Sequence, residues 1–163
     1  MAQRSAAATK VAKLLWSRAA SGDTDSADSA EEVAAVTERT CIQLRAGLGR
    51  WIGAMGYRAL LDRALVLARA EHPALAGLSC HGGDEEAVAA AVRTHGASDV
   101  AAGMVALVAG LVDLLGRIIG EEMAVRLVEH TGVQIGRESK KEKPSPRRVL
   151  SIQSEGAPDA DID

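Results

Sequence analysis

Three glycines bracket the indole of Trp51 in the stretch Gly49-Arg50-Trp51-Ile52-Gly53-Ala54-Met55-Gly56-Tyr57-Arg58. Of the whole chain, this stretch has the residue types best suited to holding a small ligand. Free amides at a helix start near Tyr57, flanked by the guanidinium groups of Arg50 and Arg58, suit an anion. The rings of Trp51 and Tyr57 would wall the pocket. The spacing is neither G-x-G-x-x-G nor a P-loop, because no strand precedes it and no Lys-Ser/Thr follows. The plainer reading is a tight interhelical turn in which Gly49 and Gly53 let two backbones approach. Arg50, Trp51, Tyr57 and Arg58 are the ligand-binding candidates, weighed against that turn.

Other clusters carry less chemistry. Cys80-His81 with Asp84 and Glu85 sits in a glycine-containing loop, but the paired ligand spacings of zinc sites are missing, so no metal is expected. Adjacent Cys80 and His81 do not by themselves make a nucleophile and an oriented base. His72, His95 and His130 fall where helix C-termini are expected, an ordinary complement to the helix dipole. Asp113 and Arg117 are four apart and can pair along one helix face. Asp99 and Asp113 lie ~21 Å apart along that helix, too far to act as paired carboxylates. No catalytic residues and no cofactor are assigned, and an enzyme is not the reading.

The elements that must position these residues follow from composition. The chain has 163 residues and a net charge of −3, which suits one domain. Alanine and leucine dominate its apolar share, with two Trp, one Tyr and no Phe, which favours helix over sheet. The same scarcity of aromatics excludes a base-stacking platform, and the charge balance supplies no basic field for nucleic acid. Two cysteines 39 residues apart read as thiols in a reducing, cytoplasmic setting rather than as a disulfide framework. The abundance of Ala and Arg is compatible with a bacterial source. The longest uncharged apolar run, Val100 to Val112, falls short of the ~20 residues of a membrane span.

The expected fold is all-α: a single bundle of about five helices over residues 29–132, between a flexible N-terminal segment (1–28) and a disordered tail (133–163). Residues 5–19 can form a short helix with Val11, Leu14 and Leu15 on one face, read as a frayed end. Contact of residues 4–18 with a membrane surface is the other use of such a helix. Ser29 and Glu32 have capping-box spacing, and apolar residues from Val33 to Ile52 then recur at helical intervals. Gly53 and Gly56 permit a break, and a second stripe runs from Tyr57 to Ala68 until His72-Pro73 stops it. Leu75 and Leu78 tether the following loop. Asp84 is placed as the cap of a short helix that ends at Gly96. Asp99 to Ile119 forms the central helix, apolar around most of its circumference. With no Arg, Lys, Asn or Gln at its start, it cannot read bases as a recognition helix. Its small-residue side, with Ala102, Gly103, Ala106 and Gly110, suits close approach of another helix from this chain or a second copy. A last helix, Glu121 to His130, turns Met123, Leu127 and Val128 inward.

Beyond Gly136 the chain carries a net +4 and then a net −4, with Pro144, Pro146 and Pro158 forbidding a long helix. Val149, Leu150 and Ile152 form its β-capable patch, the candidate for adding to a partner's sheet edge. The function expected from these features is a non-enzymatic helical protein–protein interaction or regulatory module that associates with itself. The alternative is a small-molecule or cofactor-binding helical protein, sensor or enzyme, with its pocket near Trp51 and Tyr57.

Overall fold

A computed structural model describes residues 4–20, 29–80 and 84–138, without the side chains of 132–138. Among the described residues the fold is all-α, as expected: α1 (Ala6–Ala20), α2 (Ala30–Glu71), a 3-10 turn (Pro73–Leu75), α3 (Glu85–His95), α4 (Ala97–Ile119) and α5 (Glu121–Glu138).

Helix α4 forms the axis. Val100, Met104, Leu107, Val108, Leu111, Val112 and Leu115 are almost completely buried along it, and α1, α2, α3, α5 and the 3-10 turn all pack against it. Each such Leu or Val contributes about 1.5–3 kcal/mol of transfer free energy, so this helix organises the core. It is also long and apolar enough to cross a membrane, with 61% of its most apolar window buried inside the bundle. Both glycines of the small-residue side are covered from within the same chain, Gly110 facing Ala64 of α2 and Gly103 facing Leu75 and His72, while Ala102 is exposed.

Helix α2 carries both of the stripes read from the sequence. Ser29 caps it, its Oγ accepting from the Glu32 amide at 3.1 Å, while the Glu32 carboxylate pairs with Arg39 at 2.8 Å. The helix breaks at Gly53, whose φ of 73° and ψ of 162° lie outside helical space and are reserved largely to glycine. The break is sharp. Tyr57 lies within electrostatic reach of Cys41, although a straight helix would hold those Cα atoms ~24 Å apart. The two halves therefore turn back on each other. Gly96 and Gly120 show the same positive-φ, extended-ψ conformation, so α3, α4 and α5 also follow one another through single glycines.

Three expectations need correction. The packed body does not begin at Ser29, because α1 belongs to it: Ala8, Val11, Ala12, Leu15 and Ala19 form a buried stripe. Leu14, expected on the buried face, is 42% exposed, and the stripe is completed by alanines whose small size lets α1 lie close on its neighbours. Nor is this helix frayed. The Ser5 hydroxyl accepts from the Ala8 amide at 3.1 Å and donates to Glu121 at 2.6 Å, while Arg4 pairs with Glu71 at 2.8 Å. Second, α5 runs to Glu138, so His130 lies mid-helix with its Nδ1 against the Arg126 carbonyl. Of the expected inward set, Val128 is buried with Ala124 and Thr131 and Leu127 packs half-buried against the core, while Met123 is 55% exposed. Third, Asp84 precedes α3 but makes no side-chain cap to it.

Candidate functional site

The structure parts the two aromatic residues of the sequence-chosen junction. Tyr57 turns into the core, 5% exposed, while Trp51 on the other side of the Gly53 break is 74% exposed. Arg50 and Arg58 are both exposed. Five residues, with the Gly53 break among them, lie between the two rings, and the change of axis at Gly53 sends them to opposite environments. The Tyr57 hydroxyl is buried with no hydrogen-bond partner. Burial, then the nearby Cys41 and Cys80 thiols, hold its ionisation well above the ordinary phenol range, against the opposing charge of Arg45. Val149, Leu150 and Ile152 lie outside the described residues.

The register of the bundle instead builds an apolar end. The second half of α2 runs antiparallel to α4, with Ala64 opposite Gly110 and His72 near Gly103. Ten residues from Ala64 back to Ala54, and ten from Gly110 on to Gly120, each advance ~15 Å in the same direction. The α2 bend and the α4–α5 turn therefore sit together. That end presents Trp51 (74% exposed), Met55 (81%), Ile118 (67%) and Met123 (55%) to solvent. Arg50, Arg58 and Arg117 stand on the same end as Glu121 and Glu122, so both signs of charge are present there.

Two concave features complete the surface. Between α1 and α4 runs a groove of about 450 Å³ walled by Arg4, Thr9, Lys13, Trp16, Ser98 and the alanines of α4. The Asp113 carboxylate accepts from the Ser5 amide at 3.3 Å. Desolvation raises its pKa above the ordinary value, against the lowering effects of that hydrogen bond, Arg117 and Arg4. The expected Asp113–Arg117 pair is thus replaced by an N-terminal anchor, with Arg117 acting only through its field.

The second feature is a cavity of about 50 Å³ between α2 and the start of α3, walled by Thr37, Cys41, Arg45, Cys80 and Asp84 among others. These two cysteines stand 39 residues apart in the chain. Their proximity follows from the fold-back of α2 and from the loop that returns after it. Arg69 fixes that loop by donating to the Leu75 carbonyl at 3.2 Å and to the Leu78 carbonyl. Asp84 accepts from the Ser79 amide at 3.1 Å, the Ser79 hydroxyl at 2.7 Å and the Cys80 amide. The carboxylate read as a helix cap is engaged in holding the loop. Among the described residues no group of three or more His, Cys, Asp and Glu side chains is placed to hold a metal ion.

No protein-family model matches this chain, and neither a curated protein nor a solved structure is significantly similar to it.

Proposed function

We propose that this protein is a non-enzymatic helical interaction module that associates with a second copy of itself through the apolar end of the bundle. The observation that carries the reading is that Trp51, Met55, Ile118 and Met123, all more than half exposed, belong to the α2 bend and the α4–α5 turn, which the antiparallel register and helix rise bring to one end. Exposed apolar residues scattered singly need no explanation, whereas a grouped patch rimmed by charge marks an interaction site. Trp and Met are also residue types enriched at interface centres. A two-fold contact requires a self-complementary patch, and this one carries Arg50, Arg58 and Arg117 beside Glu121 and Glu122.

Sedimentation equilibrium of the full chain tests this. The wild-type protein should run as a concentration-dependent dimer, and the double variant Trp51→Ser/Met55→Ser should remain folded and become monomeric. Deletion of residues 139–163 should leave the dimer in place. A monomeric wild type, or a dimer indifferent to the double variant, overturns the reading. A dimer lost on deletion moves the contact to the tail.

The groove between α1 and α4 favours a second reading, small-anion binding. Its volume lies in the range of ligand sites, and Lys13 and Trp16 offer a cation and an aromatic face beside Arg4, which is paired with Glu71. In a Trp51→Phe background, Trp16 fluorescence should respond to an aromatic carboxylate such as salicylate. A flat titration, equal to that of a Lys13→Ala variant, removes this reading.

A further inference from the structure

Cys41 and Cys80 wall one cavity although 39 residues separate them in the chain. Both are free thiols, Cys41 half-buried and Cys80 buried. We infer that the pair is an oxidation site at which a peroxide forms a reversible intramolecular disulfide between Cys41 and Cys80. This inference is independent of the self-association reading.

Four observations carry it. First, the two cysteines line the same small cavity. The neighbouring Cys41 thiol, then burial and the nearby Asp84 charge, raise the Cys80 thiol far above its ordinary range, against Arg69. Cys80 therefore stays protonated, and the first attack falls to the more accessible Cys41. Second, the cavity of about 50 Å³ admits a molecule the size of water or hydrogen peroxide and falls well short of the ~300 Å³ at which organic ligand sites begin. Third, Cys80 is the one non-glycine residue with positive φ among those described, at 54°. Such a conformation costs on a side chain and persists only where the surroundings enforce it. Here the Asp84 carboxylate enforces it by taking the Ser79 and Cys80 amides, and the result keeps Cys80 on the wall of the cavity that Cys41 also lines. Fourth, Arg45 brings a positive charge to the cavity wall one helical turn from Cys41, on a lining it shares with Glu38, Asp84 and Glu85.

The chemistry balances with hydrogen peroxide as oxidant. The Cys41 thiolate attacks one peroxide oxygen and the O–O bond breaks. The departing hydroxide takes a proton to become water, leaving a sulfenic acid on Cys41. The Cys80 sulfur then attacks the Cys41 sulfur, and the S–O bond breaks. The proton of Cys80 leaves with the hydroxide as a second water. Two thiols lose two electrons and the peroxide gains them. A cellular dithiol reverses the reaction by exchange.

The test uses the full-length folded protein, exposed to hydrogen peroxide, quenched with N-ethylmaleimide and weighed intact. The expected product is lighter than the starting chain by two hydrogen atoms, takes up no maleimide, and yields a Cys41–Cys80 cross-linked peptide. Dithiothreitol should restore both alkylation sites. In Cys80→Ser the reaction should stop at a sulfenic acid on Cys41, trapped by dimedone. In Cys41→Ser oxidation should slow at least tenfold. Sulfinic acid as the main product, disulfides only between chains, unreacted thiols, or a disulfide that forms only after urea unfolding would each overturn the inference. If either serine variant fails to fold by circular dichroism, the wild-type mass and peptide map decide.

Discussion

Replacing Gly47 with alanine probes the tightest approach between two helices in the bundle. A methyl group built there would lie 2.2 Å from Cγ2 and Oγ1 of Thr131 and 2.6 Å from its Cβ. Rotating the threonine can move the first two atoms, but the Cβ is fixed to the α5 backbone. Helix α5 must therefore back away from α2 by roughly 1 Å, which unseats its buried neighbours Ala124 and Val128. Overpacking of this kind costs about 1–3 kcal/mol, and the better helix propensity of alanine returns about 1 kcal/mol. Taking the upper part of the range for so short a contact, the net loss is about 1–2 kcal/mol. Two residues along the same helix, Gly49 has nothing within 4 Å of the same methyl position. Gly49→Ala should therefore stabilise, by about 0.5–1 kcal/mol. Urea unfolding followed by circular dichroism measures both. Adding Thr131→Gly to Gly47→Ala should give a stability well above the sum of the single effects, because contacting sites couple. Equal stability of the Gly47 and Gly49 variants would refute the α2–α5 packing described above.

Three further outcomes follow from the same geometry. Tyr57→Phe removes a buried hydroxyl that has no partner and should leave stability equal or raise it by about 1 kcal/mol, read from the urea midpoint; a loss would show that the hydroxyl is satisfied. Gly53→Ala meets no atoms but must hold a side chain at φ 73°, so it should cost about 1–3 kcal/mol from backbone strain alone, and a neutral result would remove the sharp break. For Asp113, burial raises the folded-state pKa above its unfolded value near 3.9. The folded state thus holds this proton more tightly, and the group's contribution is fully present below pH ~3.9 and lost as pH rises through the folded pKa. Wild type measured against Asp113→Asn should therefore lose relative stability from acid toward neutral pH, and a relative gain would reverse the assignment.

The position of the apolar end bears on how the thiol cavity would report to a partner. Cys41 lies in the first half of α2, ten residues before Trp51 and about 15 Å along the same rod. A disulfide to Cys80 would tie this half to the loop after α2, while Trp51 remains at the bend. Both features depend on the break at Gly53, which aims the indole outward and brings the second half of α2 back toward the cysteines.

Helix positions were legible in the sequence because each rests on a local signal. The Ser29 cap, the Val33–Leu48 stripe, the His72-Pro73 stop and the near-continuous apolar surface of α4 require only nearby residues to agree. The Gly53 break was legible for the same reason. The sequence could not show that α1 packs into the body, since its stripe is mostly alanine and periodic alanine is silent until a partner of matching shape is present. It could not show that Trp51 and Met123 face solvent, because an amphipathic period names a stripe without fixing which edge the neighbours cover. Asp84 looked like a cap because it stands at a helix start, yet its carboxylate serves a loop that only the returning chain brings within reach. Cys41 and Cys80 meet for that reason too: long-range approach is set by the directions in which helices leave their breaks, and no local residue pattern encodes those directions.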